Sequence, residues 1–237
     1  MIRAIVFDLD NTLTDFMKMK EAAINAAIDG MIDAGFALPR QQLRERVDAI
    51  YREQGLEFQR VFDELLEREF GEVDPRILAA GIVGYRRARE SALVLYPHAQ
   101  LVLLELLKRG IRLGVVSDAP RLQVWMRLCA LGLQHVFDAV VTFDDTGERK
   151  PAAAPFREVL RRLDVEPHEA MMIGDWAERD VVGGKSLGMT TVFARYGDCF
   201  DTKVSGADYD IDDLLELVAI VDRIHGASPG SALPLEG

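Results

Sequence analysis

Ile5-Val6-Phe7-Asp8-Leu9-Asp10-Asn11-Thr12-Leu13 begins as an apolar run and ends as an acidic turn. Successive apolar residues with turn signals behind them have the form of a short, buried strand. Asp8 and Asp10 therefore place two carboxylates at the end of that strand. Buried carboxylates are costly unless they bind metal or perform chemistry.

The chain surrounding this stretch has 237 residues, 49% of them hydrophobic, and a formal net charge of -11. That length supports one full-sized core with a smaller module beside it. Cys129 and Cys199 lie far apart, with no Cys-x-x-Cys spacing, as expected of a reduced intracellular protein without a thiolate metal site. The chain passes from Met1 directly into a core strand and has no run of membrane-spanning length, so the reading expects no signal peptide, no membrane association and a cytoplasmic location. The acidic balance argues against nucleic acid as a partner, while a local basic pocket can still receive an anionic small molecule.

After Thr14 the pattern turns helical for nearly eighty residues. Helices are expected over about 17–34, 39–54, 58–70 and 75–91, with breaks near Gly35, Gly55 and Gly71. Such a block can build its own core. From Pro97 onward, helices alternate with short runs rich in branched residues at 111–116, 139–142, 170–173 and 190–193. This alternation predicts an α/β fold with a mainly parallel, doubly wound sheet. A helix is expected at about 180–187, and a final one at about 211–225 behind the acidic start Asp208, Asp210, Asp212 and Asp213. The Gly, Ser and Pro residues after it predict a flexible tail at 226–237.

Sites in open parallel sheets gather at the carboxyl ends of the strands. Four such ends carry polar signals here: Asp8 and Asp10; Ser117-Asp118; Asp144 and Asp145 followed by Lys150-Pro151; and Gly174-Asp175. Together they suggest phosphoryl transfer. Asp8, Asp175 and the backbone oxygen of Asp10 are hard oxygen ligands suited to Mg2+. Ser117, the amides beside it at Asp118, and Lys150 can hold phosphoryl oxygens. Thr12 is expected to orient a substrate oxygen or to stabilise the tight turn.

These residues also resemble a known family. Val6-Phe7-Asp8-Leu9-Asp10-Asn11-Thr12-Leu13 is similar to the first motif of the haloacid dehalogenase superfamily, Ser117 to the second, Lys150-Pro151 to the third, and Gly174-Asp175 through Asp180 to the fourth. The resemblance spans residues 2 to about 221. It implies a catalytic core of residues 1–14 and 95–225, sheet order 5-4-1-2-3, and an inserted helical cap at 15–94 that opens and closes over a small phosphate ester. It also implies that Asp8 is the nucleophile forming an aspartyl-phosphate, and that Asp10 is the acid and base that offers its carbonyl to magnesium. Asp175 would be a direct metal ligand, with Asp180 holding the metal's water shell or Lys150. The dehalogenase branch lacks an acid at the position of Asp10, so its presence favours phosphate substrates.

Two departures from the family pattern stand out. The second motif continues as Asp118-Ala119, and the fourth contains Trp176 and Arg179, expected to narrow the entrance or shape a cap contact. The resulting expectation is Mg2+-dependent hydrolysis of a small phosphorylated metabolite. A phosphomutase and a catalytically quiet interaction module on the same fold are the alternatives. An apolar cap face would also allow a homodimer. Lys18, Lys20, Arg86, Arg87 and Arg89 read as a solvated basic face, and His98, His135, His168 and His225 lack metal-ligand spacing.

Overall fold

The computed structural model describes residues 1–226. Residues 1–15 and 95–226 form one compact unit, and Phe16–Val94 form a second. The expected tail, apart from Gly226, lies outside the described residues.

The first unit is built on six strands: β1 (Ala4–Phe7), β2 (Arg112–Val116), β3 (Ala139–Val141), β4 (Ala170–Gly174), β5 (Thr190–Ala194) and β6 (Tyr209–Ile211). They form one sheet of order β3-β2-β1-β4-β5-β6, parallel at every pairing. The first five strands follow the expected order, and β6 extends the edge beyond β5. Side chains alternate between two apolar layers, as strand geometry requires. Ile5, Phe7, Val115 and Ile173 share one layer with Leu103, Val124, Leu128 and Val221. Val6, Val116 and Met172 share the other with Phe156, Val159 and Leu163. Burial on both faces is why each central strand reads as an unbroken apolar run.

The second unit contains four helices: α1 (Phe16–Asp33), α2 (Arg40–Gln54), α3 (Val61–Phe70) and α4 (Pro75–Ala92). Its core is Ile24, Ile28, Met31, Leu43, Val47, Leu65 and their neighbours, independent of the sheet layers. α4 starts sharply: Asp74 accepts hydrogen bonds from the amides of Arg76 and Ile77, and Pro75 occupies the first helical position, where a missing N–H costs nothing.

Back in the sheet unit, the helices are α5 (Ala99–Lys108), α6 (Arg121–Ala130), α7 (Phe143–Thr146), α8 (Ala153–Leu163), α9 (Val182–Ser186) and α10 (Glu216–Ile224). Two expectations change. The final helix starts at Glu216, because Tyr209–Ile211 pairs with β5 and Asp208 accepts hydrogen bonds from the Thr191 amide and hydroxyl at 2.8 and 2.9 Å. The expected 180–187 helix is preceded by a wider π turn, Ala177–Val181, before α9 begins. Among the described residues no helix is long and apolar enough to cross a membrane.

Candidate active site

The register of the sheet brings the acidic turn and the later polar signals to one edge. Phe7 lies opposite Val115 on β2 and Ile173 on β4. Asp8 is therefore level with the last residues of both neighbours. Its amide donates to the Ile173 carbonyl at 2.9 Å, continuing the ladder by one residue. The chain then turns: Asn11 adopts a left-handed φ of 59°, a conformation tolerated best by Gly, Asn and Asp. Its amide donates to Thr14 at 2.7 Å, and buried Leu9 and Leu13 anchor the turn.

Asp8, Asp175 and Asp180 converge, with one carboxylate oxygen from each lying within 4.8 Å of the others and every residue buried. Lys150, delivered between α7 and α8, places its ammonium 2.6 Å from Asp8 Oδ1 and 2.6 Å from Asp180 Oδ1. Burial acts to neutralise this lysine, but the charges of Asp180, Asp8 and Asp118 outweigh it and hold the ammonium strongly protonated. One ammonium does not offset three clustered carboxylates. Burial, followed by the charges of Asp8 and Asp180, pushes Asp175 up to about 9, with Lys150 and the Thr12 hydrogen bond opposing. Asp180 is raised to about 6, again chiefly by burial. Buried like charges of this kind are relieved by a cation, and an all-oxygen donor set suits a hard divalent ion. The acidic triad is thus able to coordinate a divalent metal.

The remaining expected residues take definite positions. Thr12 is fully buried and donates through Oγ1 to Asp175 Oδ1 at 3.1 Å, so it braces that carboxylate. Ser117 is buried at the end of β2, and its Oγ accepts from the Ala119 amide at 3.2 Å. Asp118 accepts from the Lys150 backbone amide at 2.9 Å and from Arg179 Nη1 at 2.8 Å. Arg179 stacks 3.5 Å above the Trp176 ring centroid, and Trp176 packs against Phe200 at 4.2 Å. These two departures from the family pattern thus build a brace behind the Lys150 loop. The Asp10 carboxylate pairs with Arg127, whose Nη1 donates to Oδ2 at 2.8 Å.

The sequence does not show the close packing that Gly174 and Gly197 allow, nor the enclosure of Lys20. Gly174 approaches Asp180 so closely that a Cβ there would overlap its carboxylate. After β5, a Cβ on Gly197 would overlap the Asn11 carbonyl oxygen, while the Tyr196 hydroxyl donates to the Thr12 carbonyl at 2.8 Å. Arg195-Tyr196-Gly197 follows a strand end, so the rule that located the other four signals applied there too. Lys20, read as solvated, is buried: its ammonium donates to the Leu56 carbonyl at 2.8 Å and lies over the Tyr51 ring. It lines a cavity of about 650 Å³ within the helical unit, with Lys18, Arg44, Asp48 and Arg52. Arg86 and Arg87 are exposed, as expected. His98 pairs with Asp213, and His225 meets the Ile2 carbonyl.

The family profile of haloacid dehalogenase-like hydrolases matches residues 2–188. The chain belongs to that family, and the buried aspartate cluster on its fold makes it a phosphatase-type hydrolase. It is 34% identical to the glyceraldehyde 3-phosphate phosphatase of Methanocaldococcus jannaschii, over 94% of this chain and 99% of that protein. It is 33% identical to the enzyme of the same name from Pyrococcus furiosus, over 95% of each chain. The crystal structure of a phosphatase of the family from Thermococcus onnurineus superposes with a TM-score of 0.72 at 28% identity, covering 93% of this chain and 98% of that one. The chain shares with that structure a parallel-sheet core carrying an inserted helical cap.

Proposed function

We propose that this chain is a magnesium-dependent phosphatase of small sugar-like phosphate esters, with glyceraldehyde 3-phosphate as its preferred substrate. The observation that carries the chemistry is the buried constellation of Asp8, Asp175 and Asp180 around Lys150. The substrate follows from full-length similarity to phosphatases of that name.

In this reading the Asp8 carboxylate attacks phosphorus, the bond from phosphorus to the ester oxygen breaks, and Asp10 protonates the departing oxygen. Water then attacks the aspartyl-phosphate, returning the electron pair to Asp8 and a proton to Asp10, and inorganic phosphate leaves. Ser117, the amide of Asp118 and the Lys150 ammonium hold the phosphoryl oxygens, and Thr12 keeps Asp175 oriented. Asp8, Asp175 and the Asp10 carbonyl would hold magnesium, with Asp180 serving its water shell and Lys150. When bound, the ion supplies positive charge against the phosphoryl oxygens.

The test is a magnesium-supported screen of phosphate esters ranked by kcat/KM. Glyceraldehyde 3-phosphate is expected at the head, with Asp8→Asn abolishing turnover of every ester. Another ester leading by tenfold or more overturns the substrate, and undiminished turnover in Asp8→Asn overturns the mechanism.

A further inference from the structure

Arg127 lies in the last turn of α6 and is only 8% exposed, yet it carries a full charge. Its Nη1 donates to Asp10 Oδ2 at 2.8 Å, with the two side chains 9% and 20% exposed. Burying a guanidinium is expensive, and on the same helix Val124 and Leu128 already fill the sheet layer. Helix packing alone would be served by methionine or leucine. What an arginine adds is a rigid, planar fork that fixes the direction of a carboxylate.

The backbone at Asp10 is held by the hydrogen-bonded turn after β1. The direction of its carboxylate is set by what it meets. α6 begins directly after the Ser117-Asp118 segment, so one stretch of chain delivers both the buried Ser117 hydroxyl and the group that grips Asp10. Sheet order places β2 beside β1, which puts α6 within reach of the turn.

We propose that Arg127 is a positioning residue: its guanidinium holds the Asp10 carboxylate in the orientation that accepts a proton from the attacking water. This rests on Asp10 acting as the acid and base. In the step concerned, the water oxygen bonds to phosphorus, the bond from phosphorus to Asp8 breaks with its electrons returning to Asp8, and the water proton passes to Asp10. That proton is spent on the leaving oxygen of the next ester.

The experiment uses the full chain with magnesium and two probes, p-nitrophenyl phosphate and an alkyl phosphate. p-Nitrophenolate leaves without a proton, so with that probe only the second half-reaction needs Asp10. Arg127→Met is expected to lower kcat on both probes about 10- to 100-fold; on p-nitrophenyl phosphate KM should fall in step, leaving kcat/KM within about twofold, because only breakdown of the aspartyl-phosphate is slowed. On p-nitrophenyl phosphate it should show a burst of about one nitrophenol per enzyme. Arg127→Lys should recover part of kcat, and should Arg127→Met fail to fold, it carries the same test with a smaller loss. Asp10→Asn with Arg127→Met should be no slower than Asp10→Asn alone, because the arginine acts through the aspartate. Multiplying losses in the double variant, a rise confined to KM, or the absence of a burst would overturn the positioning role. Undiminished kcat on both probes in Asp10→Asn would instead overturn the acid-base reading beneath it.

Discussion

The Lys150 ammonium stands 2.6 Å from the Asp180 carboxylate, with both side chains almost wholly enclosed, at 3% and 1% exposure. The contact joins the loop before α8 to the π turn after β4 and fixes the lysine that also touches Asp8.

Removing Lys150 strands buried carboxylate charge away from water, a loss of about 3–5 kcal/mol. Lys150→Met should lower the denaturant midpoint accordingly. Lys150→Met should also cut kcat at least about 100-fold, the scale for losing a charged donor on the developing negative charge. Urea unfolding and phosphate release measure the two effects. A stable but inactive Lys150→Met would show that the contact serves chemistry without serving the fold.

Asp175 yields a prediction about pH. Its pKa rises from about 3.8 to about 9 in the metal-free fold, through burial first and then the charges of Asp8 and Asp180. Between those values the folded protein keeps a proton that the unfolded chain has released. The contribution to stability is thus full below about pH 4 and is lost as pH climbs toward about 9. A divalent cation displaces that proton, so the gain in Tm on adding magnesium should be larger at pH 8.5 than at pH 5. Asp175→Asn should flatten both trends in thermal melts run with magnesium and with chelator. Equal gains at both pH values for the wild-type protein would contradict the assignment of Asp175 as a ligand.

What was legible in the sequence follows from burial. Strands enclosed on both faces leave continuous apolar runs, and carboxylates just beyond them are conspicuous because such positions are costly to charge. That is why Asp8 and Asp175 stand out at strand ends in the sequence, while Ser117 and Lys150 are picked out only by the joint pattern and the resemblance to the family motifs. β6 is only three residues long and alternates Tyr-Asp-Ile between acids, so its period of two was hidden by a charge pattern resembling a helix start. Arg127 and Lys20 sit within helices where a lone cation ordinarily marks the wet face. Only the tertiary fold turns the first toward Asp10 and encloses the second against Tyr51. Close approach leaves no local signature either, so the needs of Gly174 and Gly197 appear only when their neighbours are in place.

Arg179 is expected to matter through Asp118. It bonds Asp118 Oδ2 while Asp118 Oδ1 receives the Lys150 amide, and stacking on Trp176 holds the guanidinium in plane. Arg179→Ala should loosen the lysine loop and lower kcat about 3- to 10-fold, with a stability loss of about 1 kcal/mol or less because the arginine is one-third exposed. Trp176→Ala should reproduce most of that loss by freeing the arginine, and the double variant should add little more. Steady-state kinetics of the three variants decide it. Independent, multiplying effects would mean that the stack and the Asp118 bond serve separate ends.

Gly197 separates geometry from chemistry at the site, since it carries no functional group at all. A methyl at this position would overlap the Asn11 carbonyl oxygen and come within 3.0 Å of Asp175 Cβ. Both belong to segments pinned elsewhere: the Asn11 turn by its hydrogen bond to Thr14, and Asp175 by Thr12. Neither can retreat without moving Asp10 or Asp175 with it. Gly197→Ala should therefore act first on the reaction, lowering kcat by about 100-fold, as a misplacement of about 1 Å can. Its stability cost should stay within about 1–3 kcal/mol, the usual range for overpacking. Circular dichroism melts together with kcat on a good substrate provide the comparison. An alanine variant with full activity would show that the chain after β5 yields freely, and that the close approach does not constrain the aspartates.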